Sequence, residues 1–445
     1  MNVHFISLGC DKNLVDSEYM LGIITDGGHA IVTEADEADV VVVNTCSFIK
    51  DATKESVETV LKMAALKKDG RLKGLVVAGC MAERYRREIL NEIPEADAVV
   101  GVKNASSIGN VVERILNGEK NIAVFESGDG QPDFKKRVLS TPHYAYLKIA
   151  EGCDNRCTYC VIPKLRGGYV SRPMDDLAEE AGMLAERGVR ELILVAQDTA
   201  MYGTDICGRS RLHELIYKLS EIEKIEWIRV LYAYPEHIAD GLIDEIAGNP
   251  KVCKYIDMPV QHGDDNVLKR MGRRMSRADV ESKINKLRDK IPGVCIRSTV
   301  MTGFPGESET EFCNLKKFLL NARFERLGVF AYSREEGTPA YKLPDQINSK
   351  EKKRRRDECL VLQQKISTQI MRGFVGQTLR VVTDGAASGE YQYRGRGYMD
   401  SPGVDGAVFF KSERGLKTGM TADVKITRSS AYDLYGAAVE PTIRK

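Results

Sequence analysis

Within EGCDNRCTYC, residues 151–160, Cys153, Cys157 and Cys160 put three thiols on one tight loop. Thiolates are soft ligands, and this spacing points to iron–sulfur or zinc chemistry. A four-iron cluster usually takes four thiolates. Either a fourth ligand lies elsewhere in the chain or one iron stays open. Zinc would want a fourth thiolate or histidine nearby, or an open catalytic position, and no histidine follows within twenty residues. Three further thiols end apolar runs: Cys10 closes VHFISLGC, Cys46 closes ADVVVVNTC and Cys80 closes KGLVVAGC.

Those runs read as strands. NLVDSEYMLGIITDGG and KESVETVLKMAALKKDG have helical spacing and lie between them, so residues 1–125 predict a parallel α/β sheet with crossover helices. In such sheets the residues just past the strand C-termini converge on one edge, where ligands bind. Cys10, Cys46 and Cys80 all fall at that position, which favours a shared metal over three separate packing roles. Residues 126–143 are polar, with glycine and proline, and read as a linker.

From AYLKIAEGC onward the chain repeats strand and helix. ELILVAQD, WIRVLYAYP, YIDMPVQHG, CIRSTVMTGFPGE and RLGVFAYS complete six strands, the pattern of a partial (β/α) barrel over 144–373. Residues 349–373 form a charged helix whose KKRRR run is flanked by acidic residues. A solvated face is favoured there over an RNA contact. Residues 374–445 hold five short strand-like runs divided by glycines, the pattern of a small antiparallel β-barrel. That segment has ten basic and eight acidic residues, two of the basic ones being Arg444 and Lys445, a weak footprint for nucleic acid.

The whole chain of 445 residues is nearly neutral, with 65 basic and 64 acidic residues. Its length suggests two to four domains. No apolar run approaches bilayer length, and MNVHFISLGC has no signal-peptide pattern, so a cytoplasmic protein without a membrane partner is expected. Of the eleven cysteines, Cys207, Cys253, Cys295, Cys313 and Cys359 are scattered. They are expected as small buried hydrophobes.

The three-thiolate loop, with Tyr159 before its last cysteine, resembles the radical S-adenosylmethionine superfamily. The resemblance implies a 4Fe-4S cluster on Cys153, Cys157 and Cys160, with S-adenosylmethionine binding the open iron and yielding a deoxyadenosyl radical. It also implies that Tyr159 lies beside the adenine. GFPGE, residues 303–307, is similar to the superfamily's cofactor-binding glycine motif, which makes Gly303 and Pro305 candidate contacts. A plain strand–helix turn needing glycine is the alternative. Gln197, Asp198, Gln261 and His262 also sit at strand ends.

Two three-thiolate sites followed by a terminal barrel, the TRAM domain, resemble the methylthiotransferase family over essentially the whole chain. That implies a second 4Fe-4S cluster on Cys10, Cys46 and Cys80, and an electron donor such as flavodoxin or ferredoxin. LGCDKNLVDSE, AYLKIAEGC, EWIRVLYAYPEHI and YDLYG are similar to the branch that modifies an aspartate β-carbon of small-subunit ribosomal protein S-twelve. Asp11 departs from that branch, which often has proline there. The runner-up is a tRNA adenosine methylthiotransferase. A reading of another class is a non-catalytic iron–sulfur scaffold or electron carrier. No general base is named, since radical hydrogen abstraction needs none.

Overall fold

The computed structural model describes residues 1–125 and 134–439. Residues 126–133 of the expected linker lie outside the described residues, as do Arg444 and Lys445. The chain forms two compact units. One comprises residues 1–140, 151–170 and 333–341; the other comprises 141–150, 171–332 and 342–445. No described helix is long and apolar enough to cross a membrane.

In the first unit β1 (Asn2–Ser7), β2 (Ala30–Val32), β3 (Val40–Thr45), β4 (Gly74–Gly79), β5 (Ala98–Val100) and β6 (Ile122–Val124) form one parallel sheet in the order β2-β1-β3-β4-β5-β6. β3 and β4 are buried along their whole length, as continuous apolar runs must be when both faces are covered. Val41, Val43, Leu75 and Val77 face Val60 and Met63 of helix Lys50–Lys68. Val40, Val42 and Val76 face Met20 and Ile24 of helix Asp11–Asp26 and Val111 of helix Ile108–Leu116. β2, β5 and β6 are three residues each, too short to show a period in the sequence. Residues 134–140 lie on helix Asp11–Asp26: the fully buried Arg137 donates from Nε to Glu18 Oε2 at 2.8 Å, and the Ser140 N–H donates to the other Glu18 oxygen at 2.8 Å.

In the second unit β7 (Tyr144–Lys148) begins the six-stranded partial barrel; β8 (Ala150–Glu151) and β9 (Val170–Ser171) are two-residue strands that follow it in the chain. β10 (Glu191–Val195), β11 (Trp227–Val230), β12 (Val252–Asp257), β13 (Cys295–Thr302) and β14 (Arg326–Ala331) complete the barrel, all parallel, in the order β14-β13-β12-β11-β10-β7. β15 (Thr378–Ala386), β16 (Tyr393–Arg396), β17 (Val408–Lys411), β18 (Thr421–Ser429) and β19 (Leu434–Ala438) close into the expected small barrel. Its pairings are antiparallel except β17 with β19, which is parallel.

The small barrel is joined to the N-terminal ends of the parallel strands. Glu191, the first residue of β10, pairs with Arg229 of β11 and Arg396 of β16, each at 2.8 Å, and all three are buried. Burial works against the Glu191 charge, yet the two guanidiniums hold its pKa below the usual value. Tyr255 donates to Asp405 at 2.8 Å. The terminal barrel therefore closes the end of the sheet opposite to the strand C-termini, where chemistry sits in this architecture.

Helix Ser349–Arg372 corrects the expectation of a solvated face in part. Lys353 and Arg354 are exposed, but Lys352, Arg355, Cys359, Gln363 and Ile366 are buried. Arg355 pairs with Glu307 at 2.8 Å and Glu351 at 2.7 Å, so its charge is neutralised where it is buried. Among the scattered cysteines, Cys253, Cys295 and Cys359 are buried, whereas Cys207 is exposed and Cys313 half-buried. Cys207 departs from the expectation because it ends a one-turn surface helix, Thr204–Cys207, with no buried residue.

Candidate functional site

All six candidate cysteines belong to the first unit. Cys10 follows β1 and opens helix Asp11–Asp26, Cys46 follows β3, and Cys80 opens helix Cys80–Tyr85 directly after β4. Because β1, β3 and β4 are neighbours in parallel register, their ends deliver the three thiols to one edge. The close approach depends on glycine. At Gly9 (φ +92°) a Cβ would stand 2.6 Å from Cys46 Cβ; at Gly79 (φ +89°) it would stand 2.2 Å from Asn44 Oδ1 and 2.6 Å from the Thr45 carbonyl. Asn13 donates to the Leu8 carbonyl at 2.6 Å, and Asn44 donates to the Asn13 carbonyl at 3.0 Å and to Ser17 at 2.8 Å. The Cys46 N–H donates to Ser56 Oγ at 3.0 Å, and that hydroxyl donates to the Cys46 carbonyl at 2.8 Å. These bonds fix the strand ends beneath the thiols.

The second group of thiols lies on one loop. Cys153 and Cys157 are buried and Cys160 half-buried. The Cys153 N–H donates to the Gly167 carbonyl at 3.1 Å, and the Cys160 N–H to the Cys157 carbonyl at 3.2 Å. Gly152 (φ +78°) is required here, since a Cβ would stand 2.0 Å from the Gly168 carbonyl oxygen. The Ala340 N–H donates to the Thr158 carbonyl at 2.8 Å. Tyr159 is half-buried in the same loop.

The two groups meet through the short helix Ile162–Arg166, which follows Cys160. Cys80 packs with Val161 and Leu165. Arg166, only 2% exposed, donates to Asp16 at 3.2 Å, to both Glu151 oxygens at 3.0 Å, to Asn13 Oδ1 at 3.4 Å and to Cys80 Sγ at 3.6 Å. No sequence spacing singles out this arginine: in PKLRGG it is one more basic residue before two glycines. Asn13, Asp16, Asn44 and Glu151 fall within the stretches quoted around the cysteines, but nothing in the sequence pairs Asn13, Asp16 or Glu151 with Arg166.

Burial pushes the Cys46 thiol up to about 11, with the Phe48 N–H opposing and Cys80 and Cys10 adding to the rise. It also pushes Cys80 up, against the pull of Arg166. Burial and the neighbouring thiols Cys157 and Cys153 push Cys160 up to about 12, with the Ile162 N–H opposing. Arg166 loses hydration by burial, but Glu151, Cys80 and Asp16 keep its pKa well above the usual value. Among the described residues no three His, Cys, Asp or Glu side chains converge closely enough for a single metal ion. Two all-sulfur triads, one of them accompanied by a buried cation, fit anionic iron–sulfur clusters.

The other candidates lie in the second unit. Gly303 (φ +72°) follows β13, and a Cβ there would meet Lys352 Cγ at 2.3 Å. Its N–H donates to Glu307 at 2.8 Å, and Pro305 is buried. The turn thus has a packing role of its own. Asp198 accepts from Tyr234 N–H at 3.2 Å and lies 2.7 Å from His237 Nδ1. His262 Nδ1 accepts from Asp264 N–H at 3.1 Å, and Gln261 bridges to β13 through its backbone. Gln197, two residues past the end of β10, is half-buried.

Residues 2–101 match a family described as uncharacterized protein family UPF0004, residues 147–319 the radical SAM superfamily, and residues 375–439 the TRAM domain. A protein of Lachnoclostridium phytofermentans named ribosomal protein uS12 methylthiotransferase RimO is 48% identical over 98% of this chain and 100% of its own length. Proteins of the same name from Thermoanaerobacter sp. and Clostridium kluyveri are 47% and 45% identical, over 98% and 99% of this chain and 99% and 98% of theirs. Among solved structures, the radical S-adenosylmethionine methyltransferase TsrM from Kitasatospora setae aligns with a TM-score of 0.55 at 12% identity, covering 76% of this chain and 73% of its own. The cobalamin-dependent radical enzyme OxsB aligns at 0.51 and 12%, covering 82% and 56%. At those identities the likeness is one of fold.

Proposed function

The chain belongs to the RimO family of ribosomal protein uS12 methylthiotransferases, and on that premise we propose that it transfers a methylthio group to an aspartate β-carbon of uS12, using two 4Fe-4S clusters and S-adenosylmethionine. The observation that carries this reading is the presence of two three-cysteine groups within one compact unit, with Cys80 of one packed on Val161, the residue after Cys160 of the other. Cys153, Cys157 and Cys160 hold one cluster; Cys10, Cys46 and Cys80 hold the second. When bound, the first supplies the electron that opens S-adenosylmethionine, and the second presents the sulfur to be transferred.

The chain's own residues do the positioning. Gly152 and the Cys153–Gly167 hydrogen bond hold the loop closed around its three thiols. Gly79 and Gly9 let the strand ends that carry Cys10, Cys46 and Cys80 pack closely on one another. Tyr159, half-buried in the loop of Cys153, Cys157 and Cys160, would offer its backbone to the adenine of S-adenosylmethionine. Gly303 and Pro305 are proposed cofactor contacts on the strength of their motif. Since the Gly303 N–H is already taken by Glu307, any such contact uses other backbone groups. The protein works in the cytoplasm with a flavodoxin- or ferredoxin-like electron donor.

The tRNA reading is not favoured. The full-length relatives at 45–48% identity carry the uS12 name, and residues 374–445 hold ten basic against eight acidic residues, weak for a phosphate backbone. The test is anaerobic reconstitution with S-adenosylmethionine and a reductant, offering uS12 and unmodified tRNA, read by mass spectrometry. Methylthio mass on an aspartate of uS12 alone is the expected result. A gain on tRNA adenosine alone would overturn the substrate, and a gain on neither, with no deoxyadenosine released, would return the chain to the scaffold class.

A further inference from the structure

Arg166 is a buried cation that contacts a thiol of the second triad, and its setting is built. Both oxygens of Glu151 at 3.0 Å and Asp16 at 3.2 Å fix the guanidinium, which directs Nη2 at Cys80 Sγ at 3.6 Å. The same residue ends the helix that follows Cys160, and its neighbour Gly167 accepts the Cys153 N–H at 3.1 Å. One short stretch therefore closes the first thiol loop and supplies a charge to the second.

We propose that Arg166 is a positioning residue that sets the reduction potential of the cluster on Cys10, Cys46 and Cys80. This rests on the two-cluster reading above. A hydrogen bond to a ligand sulfur and a fixed positive charge both favour the reduced, more anionic cluster, and hydrogen bonding, net charge and exposure are what tune such potentials. Arginine is effectively always charged, so this cation is not lost to deprotonation. Asp16 and Glu151 hold the fork on Cys80 and offset part of its charge. The potential therefore depends on the balance of one guanidinium and two carboxylates.

The experiment uses the full chain carrying Cys153→Ala, Cys157→Ala and Cys160→Ala, so that only the second triad can hold iron. The protein is reconstituted anaerobically with iron and sulfide. Iron content, electron paramagnetic resonance and potentiometric titration are compared for this background and for the same background with Arg166→Gln, Arg166→Lys or Asp16→Asn added. Arg166→Gln is expected to keep its iron and to lower the midpoint by a tenfold fall in the reduced-to-oxidised ratio at fixed potential, about 59 mV for a one-electron couple. Arg166→Lys keeps the charge but not the fork and falls between background and Arg166→Gln. Asp16→Asn, which removes negative charge from the same cluster, moves the midpoint the other way. A merely structural arginine would produce no such opposition of sign. Iron-loaded variants with an unmoved midpoint and spectrum overturn the role of Arg166. A background that takes up no iron overturns the two-cluster reading itself, and the two failures are told apart by the iron assay.

Discussion

The two thiol triads are assembled by opposite means. Cys153, Cys157 and Cys160 are gathered by a single turn of chain, held by the Gly167 carbonyl and by the absence of a side chain at Gly152. Cys10, Cys46 and Cys80 come from three strand ends far apart in sequence, and they meet only because β1, β3 and β4 are adjacent and parallel. The loop thiol Cys160 is acted on by burial, its fellow thiols and one backbone N–H, whereas Cys80 also feels Arg166. A local loop is tolerant of the surrounding fold but carries little room for tuning. A tertiary site is vulnerable to any disturbance of the sheet, and in return collects charges from several segments.

That contrast is broken most completely at the thiols themselves. Cys157→Ala is expected to abolish both deoxyadenosine release and methylthio transfer. Cys46→Ala is expected to retain deoxyadenosine release while transfer falls to background. Chromatography of deoxyadenosine beside mass spectrometry of uS12 checks both, and equal loss of the two readouts in Cys46→Ala would dissolve the division of labour.

Next in size are the glycines. Gly152→Ala and Gly79→Ala each add left-handed strain of about 1–2 kcal/mol, and the greater cost is overlap with backbone 2.0 Å away for Gly152 and 2.6 Å away for Gly79. Iron assays in backgrounds lacking the other triad are expected to show Gly152→Ala emptying the loop site and Gly79→Ala emptying the strand-end site.

A smaller and more selective effect is expected at Arg137→Ala, which leaves Glu18 buried without its cation. Breaking a buried pair from one side costs about 3–5 kcal/mol, and Glu18 belongs to helix Asp11–Asp26, which Cys10 opens. Denaturant unfolding should show the loss, with iron leaving the strand-end triad before the loop triad.

The smallest effect is a pH dependence of the iron-free chain. Cys46 is raised from 9.0 to about 11 by burial, so the folded state holds that proton more tightly than the unfolded state. The associated stability is present below about pH 9 and is lost as the pH rises toward 11. The stability difference between parent and Cys46→Ala should narrow by about 2 kcal/mol across that interval, and a difference that stays flat would show that burial does not govern this thiol.

Much of the fold and of the site is legible in the amino-acid sequence alone. The three-cysteine loop, the six barrel strands and the five runs of the terminal barrel are local patterns: spacing along a few residues, or the alternation of apolar runs with helices. Cys10, Cys46 and Cys80 are recognisable as strand-end residues for the same reason, because an apolar run and its terminus are local features. What stays hidden in the sequence shares one physical cause. Short strands such as β2 and β6 take their existence from the neighbour they pair with. Arg355 is buried because Glu307, Glu309 and Glu351 neutralise it. Arg166 reaches Cys80 across 86 residues of sequence. Charge and hydrogen bonding depend on distance in space, and only the tertiary structure decides which distant residues are brought within it.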